Sequence, residues 1–311
     1  MSLLKAIQDQ LLTTVSSAFI PEGFISDEVL PVVPSVQQTG VLGVMGKGYL
    51  RMVNTLKAGR GSYKRVETTS YTTSQYQIIG HGLEDIVTKE DYKNTNTPFD
   101  AERDRVMALA LALWVEKEKT LADTLGSTGV MTQNTTLSGT NQWSDKSNSI
   151  PLDDFTTARK GVRDGCGFPP NTAIMDWDVW NMLRYHPQIL DSLGYKYNRV
   201  GGMTDQELAL AIGVKRILVA QSFYNSSVEG HADVIAPIWG KNLILAFIPE
   251  KASLYQTSLG YQVRYAQDMP RKIYKYPVYN PAGANAILCE DDYDQFLTNV
   301  NAGYLIKDCI A

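Results

Sequence analysis

Asp100 to Gly126 reads DAERDRVMALALALWVEKEKTLADTLG, and the rest of the chain is organised around it. Val106 to Val115 is an unbroken apolar run of ten residues, rich in Ala, Leu and Met, all strong helix formers. Glu102, Arg103, Asp104 and Arg105 flank it on one side, and Glu116, Lys117, Glu118 and Lys119 on the other. Asp100 is placed to act as an N-cap just after Pro98, and Gly126 sits where a helix stops. The apolar centre covers more than one stripe, which predicts a core helix buried on most of its circumference. Ten residues are far short of the roughly 20 that a membrane span requires. A core role is favoured over a partner-binding one.

Working outward, the 311 residues are 44% hydrophobic and 20% charged. That composition suits an ordinary globular chain of two subdomains, or of one domain with large excursions. A formal charge of -4 without a basic stripe argues against a dedicated nucleic-acid binder. The start, MSLLKAIQDQ, interrupts with charge and amide the apolar core that a secretory leader needs, so no leader is expected. Cys166, Cys289 and Cys309 form no CxxC pair and leave an odd thiol, which points to a reducing cytoplasm. The sequons at Asn134 and Asn225 are then chance. Tyrosine is unusually frequent, with 17 residues concentrated around 49–92 and 255–304. Tyr-rich, half-polar strands suit sheets that are wet on one side or pressed against a neighbour.

Before the long helix, Leu3, Leu4, Ile7, Leu11, Leu12 and Val15 predict a short amphipathic helix over 3–15. Pro21, Pro31 and Pro34 mark an extended stretch with no core of its own. An arm reaching to a neighbouring subunit and a disordered terminus both fit it. Residues 46–92 have β-leaning flanks around Gly59-Arg60-Gly61, with alternation through Tyr71, Thr73, Gln75 and Gln77. Few positions there are apolar, so the predicted hairpin packs on something other than its own body. Lys57, Arg60, Lys64 and Arg65 make its tip basic. No aromatic interleaving suited to base stacking accompanies it, which favours a solvated or partner-facing loop over a nucleic-acid site.

After the helix, 127–149 is a polar loop with Trp143 its one aromatic residue. From Pro151 the chain alternates short helices and strands. Residues 152–165 form a helix ended by Gly165, TAIMD (172–176) a strand, and 178–193 a helix interrupted at Pro187. Thr204 and Glu207 have capping-box spacing, with Gly213 at the stop. KRILVA (215–220) is a strand; DVIAPIW (233–239) and NLILAFIP (242–249) read as a hairpin turning at Gly240-Lys241. GYQVRYA, KIYKYPVY and AGYLIKDCI return the C-terminal region to β character.

The search for chemistry is mostly negative. His81, His186 and His231 lie far apart with no carboxylate or cysteine at ligand spacing, so neither metal nor cofactor is expected. Cys166, His186 and Asp191 have the residue types of a thiol hydrolase, but nothing marks a base or an oxyanion hole. Gly46-x-Gly48 lacks the third glycine of a dinucleotide loop, and no GxxxxGK[ST] occurs. Glu290, Asp291, Asp292 and Asp294 lack the Gly and Glu of a calcium loop and read as a solvated face.

Five segments in order carry a resemblance. YQIIGHGLEDIVTKEDYKNTNTPFD (76–100) resembles an acidic run followed by N-x-x-x-P-F/L-D. PPNTAIMDWDVWNMLRYHPQILDSLGY (169–195) resembles a strand and helix with an HP-x-iLd signature. GVKRILVAQSFYNSS, IWGKNLILAFIP and AGYLIKDC follow in register. Together they resemble the major capsid proteins of tailed bacteriophages with the Hong Kong 97-like coat fold, over nearly the whole chain.

The resemblance implies an α+β fold of five parts. An N-terminal arm (1–45) is followed by an extended β-hairpin loop (46–96). A peripheral domain (97–150 and 251–311) carries a spine helix at 100–126, and an α/β axial domain spans 151–250. It implies a structural, non-enzymatic subunit that assembles as pentamers and hexamers into an icosahedral head. The head encloses double-stranded DNA without sequence-specific binding, with portal, scaffolding or decoration proteins as partners and no membrane. The subunit is made in the bacterial cytoplasm and resides in the virion. Its working residues are intersubunit ones: Lys57, Arg60, Lys64 and Arg65, against acidic patches of a neighbour. The family namesake's Lys–Asn cross-link is not carried over, since its partners have no match here. A bacterial compartment shell of the same fold, a thiol hydrolase using Cys166 and a monomeric surface-binding module are the alternatives.

Overall fold

The computed structural model describes residues 6–45, 50–56, 71–94, 98–194, 202–228, 230–250, 252, 257–278 and 283–311. The chain enters through a short strand, β1 (Ile7–Gln8), and a helix, α1 (Gln10–Ala18). The helix therefore starts later than its apolar spacing predicts. Asp9 fixes the start, because its side chain accepts the amide of Leu12 at 3.0 Å. One helical turn, α2 (Ser26–Val29), precedes β2 (Val32–Ser35) and β3 (Thr39–Met45). The proline-rich stretch has no core of its own but joins that of the long helix. Ile25, Val29 and Leu30 are buried against Leu121 and Leu125 of the long helix. Burying each such side chain contributes about 1.5–3 kcal/mol, enough to hold this segment in place.

After β4 (Tyr71–Gln77), β5 (Ile79–Thr88) and α3 (Lys89–Asn94) comes the long helix α4 (Pro98–Gly126). It begins two residues before Asp100, at a proline, whose missing N–H costs nothing in a first turn. Asp100 is therefore inside the helix and not its cap. Burial is also narrower than predicted. Val106, Ala110, Leu113, Trp114, Lys117, Glu118, Leu121, Ala122 and Leu125 make one buried stripe, while Ala108, Leu111 and Ala112 face out. The apolar run is wider than the face that this subunit covers.

The next elements are β6 (Asn134–Thr136), α5 (Pro151–Cys166), β7 (Thr172–Asp176), α6 (Trp177–Arg184) and α7 (Pro187–Ser192). They are followed by α8 (Asp205–Ile212), β8 (Arg216–Ala220), β9 (Phe223–Asn225), β10 (Ile235–Pro237) and β11 (Leu243–Ala246). Both halves of the Thr204–Glu207 capping box are made, and Gly213 ends α8 in the left-handed region. The left-handed cap of α5 is Gly167, not Gly165, which lies too close to Asn301 to carry a side chain. The chain closes with β12 (Gly260–Tyr265), β13 (Lys272–Val278), β14 (Ala284–Leu297) and β15 (Gly303–Lys307).

One sheet has the order β6-β15-β11-β7-β8. Its β7 and β11 are buried at every position, as expected of strands covered on both faces. Trp143 anchors the polar loop beneath it, fully buried, with its indole donating to Asp154 at 2.9 Å. The predicted hairpin of 233–249 does not form. β10 pairs with β9, and β11 lies between β15 and β7.

The second sheet is built on β14, which sequence reading did not identify. It pairs with β13 through 284–290, with β5 through 284–293 and with β12 through 293–297. β2 joins the edge of β12 in parallel and β1 the edge of β13. The acidic residues of β14 are not a solvated face. Asp291 is buried and takes both guanidinium nitrogens of Arg264, at 2.8 and 3.1 Å. Asp292 takes Lys272 at 2.6 Å, and Asp294 accepts the amide of Gln77 at 2.8 Å.

Candidate assembly surface

β3 and β4 form a two-stranded ribbon of seven register pairs, from Thr39–Gln77 to Met45–Tyr71. Its base is fastened to the β14 sheet. Tyr76 is buried, meets Ser35 Oγ at 2.7 Å and stacks on Phe296 with ring centroids 6.3 Å apart. Gly40 leaves room for that ring, since a Cβ there would stand 2.4 Å from the phenolic oxygen. Ile78 and Val263 complete the contact. The hairpin region thus does carry apolar anchors at its root. Beyond β3, residues 50–56 have no regular structure, and Met52 and Leu56 are 97% and 87% exposed. The predicted contact residues Lys57, Arg60, Lys64 and Arg65 lie outside the described residues.

The N-terminal segment is fastened mainly by buried polar groups. Glu118, fully buried on α4, accepts the amides of Ile25 and Ser26 at 3.0 and 2.8 Å and the indole N–H of Trp239 at 2.7 Å. Three N–H donors hold the carboxylate where no water reaches it, and they join α2, α4 and the turn before β11. One residue away, the ammonium of Lys117 meets Asp27 and lies over the rings of Trp114 and Tyr293, at 4.6 and 5.4 Å. Burial is the main cause that pulls the Lys117 pKa down, to about 8, with Asp27 opposing it. Arg271 is buried in the left-handed region (φ 53), and its guanidinium donates to the carbonyls of Ser16 and Ser17 at the end of α1. Trp114 donates to Phe19 O at 3.2 Å. None of these roles was read from the sequence, where Lys117, Glu118 and Arg271 look like ordinary surface charges.

The residues offered for thiol chemistry do not converge. His186 is buried and its Nε2 meets Ser149 Oγ at 2.9 Å. Cys166 Sγ faces Phe168 O at 3.3 Å, and Asp191 is exposed on α7. Burial, with Lys146 second, lowers the pKa of His186 and keeps it neutral. His81 stacks on Tyr293 beside Glu116, away from both other histidines. Among the described residues no three His, Cys, Asp or Glu side chains are grouped to hold a metal, and no helix is long and apolar enough to cross a membrane.

What this subunit leaves uncovered is apolar surface on several elements. Leu111 of α4, Ile79, Leu83 and Ile86 of β5, Leu210 of α8, and Phe223 and Ile235 of the β9–β10 ribbon are all exposed. These residues are spread over four separate parts of the fold.

This combination of two sheets, one long helix and a projecting ribbon is the fold of phage capsid structures. The capsid of Cyanophage P-SCSP1u superimposes with a TM-score of 0.57 at 8% identity, covering 93% of this chain and 89% of its own. A phage-related protein from Bordetella bronchiseptica reaches 0.75 at 21% identity, covering 98% of each chain. No protein-family profile matches. In sequence, the major capsid protein of Burkholderia phage BcepMu is 24% identical, over 97% of this chain and 96% of its own. The resemblance to phage major capsid proteins read from the five segments is borne out across nearly the whole chain.

Proposed function

We propose that this chain is the major coat subunit of a tailed-phage head, with the Hong Kong 97-like form of the capsid fold. The end-to-end match to a phage major capsid protein is the observation that carries the reading. Copies assemble as pentamers and hexamers into an icosahedral shell around double-stranded DNA. The subunit is made in the host cytoplasm and ends in the virion, with portal, scaffolding or decoration proteins as further partners. It performs no catalysis.

Residues 1–45 serve as the arm, 46–96 as the extended loop, 97–150 with 251–311 as the peripheral domain and 151–250 as the axial domain. Lys57, Arg60, Lys64 and Arg65 contact acidic groups of a neighbour. Many modest contacts suffice, because closed symmetry makes each one help to hold the others. Sedimentation and negative-stain microscopy of the purified chain test it: closed megadalton particles are expected, and a protein that stays monomeric under all assembly conditions would overturn it.

A further inference from the structure

On α5 the buried side is Phe155, Ala158, Val162, Gly165 and Cys166. The opposite side carries Thr156, Arg159, Lys160 and Arg163, at helical positions i, i+3, i+4 and i+7. With Pro169 these four line a shallow cleft of about 300 Å³. From Arg159 to Arg163 the row rises about 6 Å, one turn of a rigid helix.

The cations are arranged for an external anion. Among the described residues, neither Arg159 nor Lys160 has an acidic partner. Arg163 holds its neighbour Asp164 through Nε and Nη2, at 3.1 and 3.0 Å, which leaves Nη1 unengaged. Arg159 is seated by a glycine: a Cβ on Gly213 would stand 2.5 Å from the guanidinium carbon. The end of α8 behind it carries the negative pole of that helix, which favours the cation there. Three positive side chains against the exposed Asp153 and Asp164 invert, locally, the sign of the -4 of the whole chain. The lining has no Asn or Gln to read adenine and no aromatic side chain to stack on a base, which leaves its Arg and Lys side chains for phosphates and guanine edges. A row of cations along one helix face, with no stacking platform beside it, matches a backbone of successive phosphates.

We propose that the Arg159–Lys160–Arg163 row on α5 binds the phosphodiester backbone of nucleic acid without regard to sequence. The biological ligand rests on the coat reading, in which the enclosed DNA meets the shell wall; the binding itself does not. It is weak and strongly salt-dependent, because its strength comes from counterions released from about three phosphates.

The test is fluorescence anisotropy of a labelled mixed-sequence duplex titrated with the full-length, unassembled subunit at several salt concentrations. The expected slope of log K against log salt is about -2.7, a loss of about forty-fold between 50 and 200 mM salt. Changing Arg159, Lys160 and Arg163 together to Gln removes this dependence and weakens binding at least tenfold at low salt. Lys160→Gln alone, at an exposed and unpartnered position, reduces the slope by about one and covers the case in which the triple variant misfolds. Gln at Lys57, Arg60, Lys64 and Arg65 leaves the α5-dependent slope in place.

Three results overturn the proposal: no binding by the native chain, binding unchanged in the α5 variants, or a triple variant that loses shells while keeping its DNA affinity. The last would make the row a contact between proteins. Sedimentation of the same samples keeps the two readings apart, since salt-dependent binding by a chain that never forms particles refutes only the coat reading.

Discussion

Trp239 donates its indole N–H to Glu118 at 2.7 Å inside the protein, 121 residues apart in the chain and with the carboxylate wholly out of solvent. The other donors to that carboxylate are the amides of Ile25 and Ser26, so one side chain fixes three segments at once. In Glu118→Gln an amide NH₂ must face at least one of these N–H groups. A lost hydrogen bond to a charged acceptor costs about 1.5–3 kcal/mol. Urea unfolding of the unassembled subunit should show that loss, with proteolysis appearing first in residues 19–30. An unchanged midpoint would mean that the three donors find other acceptors.

Lys117 gives the contact with Asp27 in the N-terminal segment a pH signature. Its folded pKa of about 8 lies below the ordinary 10.5, so the folded state releases this proton more readily than the unfolded chain does. The penalty for holding the charge is complete below pH 8 and is relieved as pH rises from 8 to 10.5. This group therefore makes stability rise with pH across that window. Lys117→Met should flatten the rise. At pH 7 it should keep or raise the melting temperature, since Asp27 stays half-exposed and hydrated when its partner is gone. A drop of many degrees would show that the pair is a net stabiliser.

Along α4, Leu113 and Leu111 separate folding from assembly. Leu113 is 4% exposed, and Leu113→Asp should cost several kcal/mol and prevent soluble expression. Leu111 is 41% exposed, and Leu111→Asp should leave circular dichroism and melting within about 0.5 kcal/mol of native. If both variants unfold, the outer side of the helix is packed within the subunit after all. If Leu111→Asp folds but shells fail, that side lies in a contact between subunits.

The sequence announced the longer helices and the strands whose residues all point into apolar surroundings. It announced the Thr204–Glu207 cap for the same reason: each signal sits within a few residues. What it hid depends on distant partners. β14 was missed because Glu290, Asp291, Asp292 and Asp294 resemble a hydrated run until Arg264, Lys272 and the amide of Gln77 are brought to them. The arm looked coreless because Ile25, Val29 and Leu30 become a core only against α4. The hairpin expected over 233–249 failed for the converse reason. A local turn signal at Gly240-Lys241 lost to β15 and β7, which offer β11 two full edges.

All three cysteine side chains are buried and none is in a disulfide. Burial pushes Cys289 up to about 11 and Cys309 well above the ordinary range, so the reactive thiolate is scarce at neutral pH. Native protein should therefore resist a mild alkylating agent and take up three equivalents only on unfolding. Ala at all three positions should leave particle formation intact, whereas Cys309→Ser replaces a buried thiol, which donates to Ile306 O at 3.3 Å, with a smaller group that is costlier to desolvate and should lower the melting temperature. Rapid labelling of Cys166 in the native state would revive a chemical role for it.

For the extended loop, the anchors at Tyr76 and Ile78 define where a cut must stop. Replacing 46–70 with a short Gly-Ser linker keeps β3, β4 and the Tyr76–Ser35 contact. The expected product is a folded subunit with near-native melting that does not close into shells. Extending the replacement through Tyr76 should destabilise the subunit itself. Normal shells from the shorter replacement would remove the loop from assembly.

β14 bonds to β5 at ten consecutive register positions and to β13 at seven of the same residues on its other edge. A pull along the strand axis therefore loads all these pairs together, and none can yield without its neighbours. A pull across the strands would instead open them one at a time from an end. The sheet is stiff in the first direction and weak in the second. A wall of such subunits resists internal pressure best where these strands run along the line of tension.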